Sequence, residues 1–495
     1  MKKNTFYIVL WIIISYWFFL RFHNLWFQSF WIDEWYSSIV SYFANLNWFI
    51  PKLPSWIYDF SQYLFTLFQV ISFKIFWVSD FSARFFSVIF NILTWWVLLL
   101  FVYKFLANFL KEKNKNIVYF VIILLAILFF LSNWEIIWAR QARFYSLLGL
   151  FFISIVYFMF EVFFLKNKKY FKYLILSLSF WLIYHPFIWS LLPIFLLFLV
   201  LEIWNDKKLD KKYLYWILIW WVLFFLQKLF FYVFSKNINI WVNPTDIWNL
   251  AKYYMMYYHN HLLENLWIVY LLFFISIIIL LFKKTKFGIF ILLVWFINFY
   301  VITHKWIMFH TRYVFHLYPI ILIWFSYIFY FFLKNYKNYK ILNWLAVLIV
   351  LFLIAFTYKF NFLPNDEYFI DYTSPQPNFK QAYKNISWNI VSWFWQICVW
   401  YEKTLNKKIN CKYTLSVDLT WYPWRKKKLQ KLKNDRYTWL EYFRNKNISW
   451  FTFVLDDLTI RRALNKKMID SIFKKCKLIY KSWKKYNFIW VWQCK

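Results

Sequence analysis

Glycine is almost missing from this chain: two residues in 495, where a typical protein of this length would carry about 35. With the residues as they stand, no glycine-rich phosphate-cradling loop stands out. The shortage also leaves turns and helix ends without the residue that enters positive φ freely. Tryptophan is in matching excess, with 36 copies, so that Gly and Trp together number 38. The match predicts that most Trp positions are glycine in the living cell, through a UGA codon that some genetic codes read as Trp and others as Gly. An AT-rich genome favours such a codon, and the 48 Lys against 10 Arg, 65 Phe, 39 Tyr and only 11 Ala fit one. The alternative is a truly Trp-rich membrane protein. Each Trp is therefore read twice, as printed and as Gly.

Acidic residues are also scarce, 22 against 58 Lys and Arg, for a net charge of +36. The distribution argues against nucleic acid. Much of the charge sits in short loops between apolar runs: 111–115, 166–169, 207–212, 283–286 and 334–340. Such clusters are positive-inside signals. Hydrophobic residues make up 63% of the chain, far above the soluble norm of about half. The expected class is an all-α polytopic membrane protein of the cell (plasma) membrane. The first apolar run, 5–20, follows Lys2 and Lys3 with no small-residue cleavage site, so it is read as an uncleaved first span.

With the N-terminus in the cytoplasm, spans are expected near 5–21, 82–105, 117–133, 144–165, 171–184, 187–204, 213–234, 264–282, 287–303, 313–333 and 341–358. These eleven crossings put every basic loop inside and the tail outside. The apolar stretch 61–76 would invert all later loops if it crossed, so it reads as a juxtamembrane or re-entrant helix. Residues 1–358 form the membrane domain and 359–495 a small extracytoplasmic α/β domain. In the latter, 390–400, 413–419, 450–455 and 488–492 read as strands, and 379–385 and 460–473 as helices. Only four cysteines occur, Cys398, Cys411, Cys476 and Cys494, all in this tail. An even count outside the cytoplasm allows disulfides in any of three connectivities; buried free thiols are the alternative.

Charges at a membrane edge are expensive and therefore informative. The topology gathers four polar clusters on the outer face: Asp33-Glu34 with Tyr58-Asp59; Glu135, Arg140, Arg143 and Tyr145; Tyr184-His185; and His304, Lys305, His310, Arg312 and Tyr313. A carboxylate in a partly desolvated cleft is a stronger base, and Arg, Lys or His can neutralise a phosphate leaving group. Equally, Asp33-Glu34 could only cap a juxtamembrane helix, and the arginines could only anchor at the interface. No His/Cys metal spacing stands out, and a need for a divalent metal stays open.

Read with Gly for Trp, the outer loops become Ser-Phe-Gly-Ile-Asp33-Glu34-Gly-Tyr-Ser, then Phe-Gly-Val-Ser-Asp80-Phe-Ser-Ala-Arg84, then Ala-Arg140-Gln-Ala-Arg143-Phe-Tyr145-Ser, and Tyr-His185-Pro-Phe-Ile-Gly-Ser. This ordered set resembles the GT-C-fold membrane glycosyltransferases, specifically the protein O-mannosyltransferase and lipid A aminoarabinose-transferase group. The resemblance covers roughly residues 5–330. It implies a polyprenyl-phosphate sugar donor and an acceptor hydroxyl on protein, lipid or cell-wall polymer. By the same resemblance Asp33 is the catalytic base and Glu34 supports it. Arg84, Arg140, Arg143 and Tyr145 shape the donor site, with Lys305, Arg312 and Tyr313 for its phosphate. Tyr58, Asp59 and His185 would face the acceptor. Asp80 stands where the group more commonly has Glu, and no clear Pro-Pro element precedes the second hydrophobic stretch.

Two rivals belong to other classes. A transporter or flippase of an anionic lipid-linked substrate would carry ionisable residues near the midplane of several spans; here the polar groups gather at one face. A polysaccharide polymerase or ligase would need arginines in later outer loops but not Asp33-Glu34.

Overall fold

The computed structural model describes chiefly residues 3–27, 30–51, 62–182, 190–206, 247–305, 311–334, 378–410, 451–456 and 476–494, with short interruptions. The predicted spans 213–234 and 341–358, and the predicted strand 413–419 and helix 460–473, fall outside them almost entirely.

The first apolar run folds as α1 (Lys3–Phe22). After it come α2 (Ile32–Leu46) and the short α3 (Tyr63–Phe76). At about 1.5 Å per residue, the 14 residues of α3 reach about 21 Å, short of the hydrocarbon core of about 30 Å. The described part of α3 is thus shorter than a full crossing. It packs beside α2 and α4 instead. Helix α4 (Asp80–Lys104) runs on through a π-helical turn, Phe105–Phe109, into one continuous span. Its start is set by a reciprocal cap: Ser79 Oγ accepts from the Ser82 amide (3.1 Å), and Ser82 Oγ accepts from the Ser79 amide (2.9 Å).

Helices α5 (Lys115–Phe130), α6 (Asn133–Ala139), α7 (Tyr145–Phe163), α8 (Phe171–Leu182) and α9 (Leu191–Asp206) follow. The next are α10 (Ile247–Leu266), α11 (Ile268–Lys283), α12 (Thr285–Lys305) and α13 (Tyr318–Lys334), the last preceded by a 3₁₀ stretch, Thr311–Leu317. The protein is a multi-pass membrane protein. Among the described residues five helices are long and apolar enough to cross, and a sixth crossing arises if the pair bent by 109° at α10–α11 is one span. Nine of the eleven expected spans coincide with a described helix, but several of those helices are shorter than the runs suggested.

Helices α4 and α7 run parallel and in close contact, from Ser87 beside Arg143 at one end to Lys104 beside Glu161 at the other. Aromatic rings fill the space between helices: Phe101 lies 4.9 Å from Phe160, and Trp324 of α13 lies 5.2 Å from Phe105 and 4.9 Å from Phe287. The parallel pair sorts the charges. Asp80, Arg84 and Arg143 stand at one end, and the lysine clusters at 111–115 and 166–169 follow the other.

The tryptophan excess leaves a mark on the backbone. Trp77, at the end of α3, has φ 58° and ψ 169°, a region essentially reserved for glycine. Trp267, at the bend between α10 and α11, has φ 27° and ψ −98°. Trp48 also has positive φ. Six further tryptophans, Trp17, Trp35, Trp95, Trp138, Trp295 and Trp324, bury an indole N–H that finds no hydrogen-bond partner among the described residues, whereas buried Trp usually finds one. Peptide mass spectrometry of the protein from its native cell should therefore report Gly at 48, 77 and 267. Trp at all three would defeat the recoding.

The C-terminal region holds α14 (Phe379–Lys384) and α15 (Trp395–Thr404) against a mixed sheet. Strands β1 (Trp388–Val391), β2 (Ile409–Asn410), β3 (Phe451–Asp456), β4 (Cys476–Lys484) and β5 (Asn487–Cys494) lie in the order β2-β1-β3-β5-β4. The β1 pairings are parallel, and the β3–β5 and β4–β5 pairings are antiparallel. One expectation is corrected. The run 390–400, read as a strand, holds only the last two residues of β1 and, from Trp395, the first part of α15. A short apolar run does not distinguish the two by period, and α15 is selected by burying Ile397, Cys398, Trp400 and Tyr401. Strand β4 was not foreseen, although Cys476, Leu478 and Tyr480 alternate with Lys477 and Lys481. Cys398 and Cys476 are each in a disulfide, and no free cysteine occurs among the described residues.

Candidate active site

Helix α2 has two faces with different partners. Trp35 and Ile39 join a core with Phe379, Tyr383, Trp400 and Tyr401 of the C-terminal region. The Trp35 ring meets Phe379 edge-on at 4.7 Å. On the other face, Glu34, Ser37 and Ser41 turn to α3, α4 and the loop after α6. Helical spacing of three and four places these polar groups on one stripe.

Glu34 is the hub of that stripe. Its carboxylate is buried and accepts a bidentate pair from Arg84, Nε to Oε1 at 2.9 Å and Nη2 to Oε2 at 3.2 Å. Oε1 also accepts from the Ala142 amide at 2.8 Å. The Arg84 guanidinium donates further to the Leu25 carbonyl at 2.9 Å and lies 4.6 Å over the Phe30 ring. Arg143 donates to Ser37 Oγ at 2.7 Å, and Ser37 Oγ donates in turn to Gln62 Oε1 at 3.1 Å. Three segments distant in sequence are thereby tied together: the first loop, the start of α4 and the loop 140–144. Glu34 is fully occupied by this work. Asp33, the residue before it, lies in the first turn of α2.

Arg140 has a different occupation. Its Nη1 donates to the carbonyls of Leu20, Arg21 and His23, and Nη2 to that of Asn24. These are carbonyls of the last turn of α1 and of the turn that follows it, which a cation satisfies both as donor and against the helix dipole. Tyr145 opens α7, buried, with its ring 5.0 Å from Trp138. The 3₁₀ stretch carrying Arg312 and Tyr313 packs on α7 and α6, where Phe315 lies 5.9 Å from Trp138. That brings positions 311–313 to the same end of the bundle as Glu34. Lys305 closes α12. Tyr58, Asp59 and His185 lie outside the described residues. No group of three or more His, Cys, Asp or Glu among the described residues is arranged to hold a metal.

Beneath the hub is a second polar cluster. Glu135 Oε2 accepts from Asn91 Nδ2 at 2.6 Å, and Asn91 Oδ1 accepts from Arg21 Nε at 2.8 Å. Arg21 could have been suspected as an arginine within the end of an apolar run. Glu135 stands on α6, past the end of α5. Burial pushes its carboxyl up to about 8, outweighing the Asn91 hydrogen bond and the Arg21 cation. The folded protein thus keeps a proton that the unfolded chain releases above its ordinary value of 4.5. Stability from this group falls as pH rises from 4.5 to about 8. Glu135→Gln should remove that slope. Its apparent Tm in detergent should exceed the parent's most at pH 8 and meet it near pH 4.5; parallel profiles would refute the assignment.

The arrangement defines a helical membrane protein with a polar site at one end of its bundle. It is similar over nearly its full length to the apo crystal structure of ArnT from Cupriavidus metallidurans, with TM-score 0.52, 9% sequence identity, 99% of this chain and 98% of that one covered. The same protein bound to undecaprenyl phosphate aligns over 66% of this chain and 60% of that one, with TM-score 0.49 and 11% identity. No protein-family model matches the sequence, and no curated protein matches it either. The chain has the fold of ArnT.

Proposed function

We propose that the protein is an inverting glycosyltransferase that moves a sugar from a polyprenyl-phosphate donor to an acceptor hydroxyl on the outer face of the membrane. The observation that carries this reading is the Glu34 hub, which draws three of the sequence motifs to one end of an ArnT-like bundle. In this reading the N-terminus is cytoplasmic and the C-terminal α/β domain extracytoplasmic. The lysine clusters lie at the opposite end of α4 and α7 from the site, as the positive-inside rule requires.

Asp33 takes the proton of the acceptor hydroxyl as its oxygen attacks the anomeric carbon in line. The bond from that carbon to the phosphate oxygen breaks, and the electron pair leaves with the polyprenyl phosphate. A phosphate departs as a stabilised anion and needs no proton from an acid. Lys305, Arg312 and Tyr313 are assigned to that anion, and Arg143 with Tyr145 to the wall of the donor site. Arg84 and Arg140 serve by holding the surrounding backbone. Orientation and preorganised charge then supply most of the acceleration. Tyr58, Asp59 and His185 are assigned to the acceptor.

The test supplies membranes containing the protein with radiolabelled polyprenyl-phosphate sugars. Label should pass to a protein, lipid or cell-wall polymer, and the labelled product identifies the acceptor. Transport of the labelled lipid across the membrane with no transfer would favour a flippase instead. Chelation of divalent ions in the same assay decides whether a metal is needed.

A further inference from the structure

The first-loop helix is held from two sides, and one of them is the C-terminal region. Lys380, on α14, donates to Asp80 Oδ2 at 2.9 Å and to the backbone carbonyl of Trp26 at 2.7 Å. Asp80 is nearly fully buried in the first turn of α4 and also accepts from Trp400 Nε1 at 2.8 Å. One turn further along α4 stands Arg84, which holds Glu34. The carbonyl of residue 26 belongs to the turn after α1 that Arg84 and Arg140 also bind, at Leu25 and Asn24. Lys380 therefore reaches both ends of the frame that carries α2. Neither of its contacts depends on a Trp side chain, so both survive if positions 26 and 400 are glycine.

Resting on the glycosyltransferase reading, we propose that Lys380 is a positioning residue. Through Asp80 and the 26 carbonyl it locks the C-terminal region onto the membrane domain, and so fixes the helix bearing Asp33 and Glu34. The packing of α2 on α15, with Ile39, Phe379 and Tyr383 in one core, gives that docking its area. The ion pair gives it register, because one ammonium must reach both the buried Asp80 carboxylate and the carbonyl of residue 26. α2, whose first turn carries Asp33, is thus held between the C-terminal core on one face and α3, α4 and the 140–144 loop on the other. Without Lys380 the first face slackens while the Glu34–Arg84 pair still holds the second. The expected result is a folded enzyme whose base is misplaced.

The test uses the full chain in detergent or membranes, with Lys380→Met and the conservative Lys380→Arg. Misplacement of a reacting group by about 1 Å costs up to a hundredfold. Lys380→Met should lower kcat by about tenfold to a hundredfold with KM for the polyprenyl-phosphate sugar unchanged, and Lys380→Arg should recover most of the loss. Hydrogen exchange should rise across 32–46 in Lys380→Met, stay at the parent level in Lys380→Arg, and be unaltered across 82–105 in both. Parent-like exchange in α2 of Lys380→Met overturns the proposal, and so does a general rise throughout the bundle. If the unmodified protein transfers no sugar from any polyprenyl phosphate, the functional reading fails. The exchange pattern then decides the coupling alone.

Discussion

Asp33→Asn should reduce sugar transfer by about 10²–10⁴, the range for loss of a positioned general base, without reducing the amount of folded protein. Its neighbour explains why the effect should be specific. Glu34 spends both carboxylate oxygens on Arg84 and the Ala142 amide, so in the proposed mechanism the acidic pair divides into one structural and one chemical member. Asn keeps the size of Asp and tolerates a helix start, but it cannot accept a proton at neutral pH. The KM for the lipid-linked donor should be unchanged, because the base acts on the acceptor. Transfer at the parent rate by the Asn variant would remove Asp33 from the mechanism and leave the acidic pair as a helix cap.

Glu34→Ala and Arg84→Ala should each cost about 3–5 kcal/mol of stability, as removal of one partner from a buried ion pair does. Both side chains are nearly inaccessible, at 1% and 3% exposure. Either truncation leaves an opposite charge in the interior without its counter-charge. Since net stabilities run at about 5–15 kcal/mol, these variants should lose most of their yield of folded protein on extraction. Replacing the pair together by Met and Leu should restore much of that yield, because apolar groups of similar volume carry no desolvation penalty. The double variant should nevertheless be inactive, since Ala142 and Leu25 lose their partners. Unfolding in detergent measures the first effect and the transfer assay the second. Full stability of Arg84→Ala would mean that the three segments are held by packing alone.

Much of the site was legible in the sequence because its signal is chemical scarcity. In a chain whose spans are almost free of charge, an adjacent Asp33-Glu34 and the arginines at 84, 140 and 143 stand out. What did not follow was how the labour is divided among them. Arg140 closes the carbonyls of α1, and nothing in its motif distinguishes that work from phosphate binding. Lys380 gave no signal at all, being one lysine in a lysine-rich tail. The strand expected at 390–400 failed for a related reason: an apolar run states that it will be buried, not against what.

Composition and order determined by themselves that this is a polytopic helical membrane protein. Apolar runs must leave water and charged loops must remain in it, whatever neighbours they find. The shortage of glycine likewise predicted backbone positions unsuited to tryptophan, and 77 and 267 are such positions. Only the tertiary structure decided which polar groups meet. The Glu34 hub joins residues 50 and 108 positions apart, and the Asp80–Lys380 pair joins residues 300 apart. Contacts of that kind are made by the packing of helices around them, and a one-dimensional pattern carries no information about partners across a bundle.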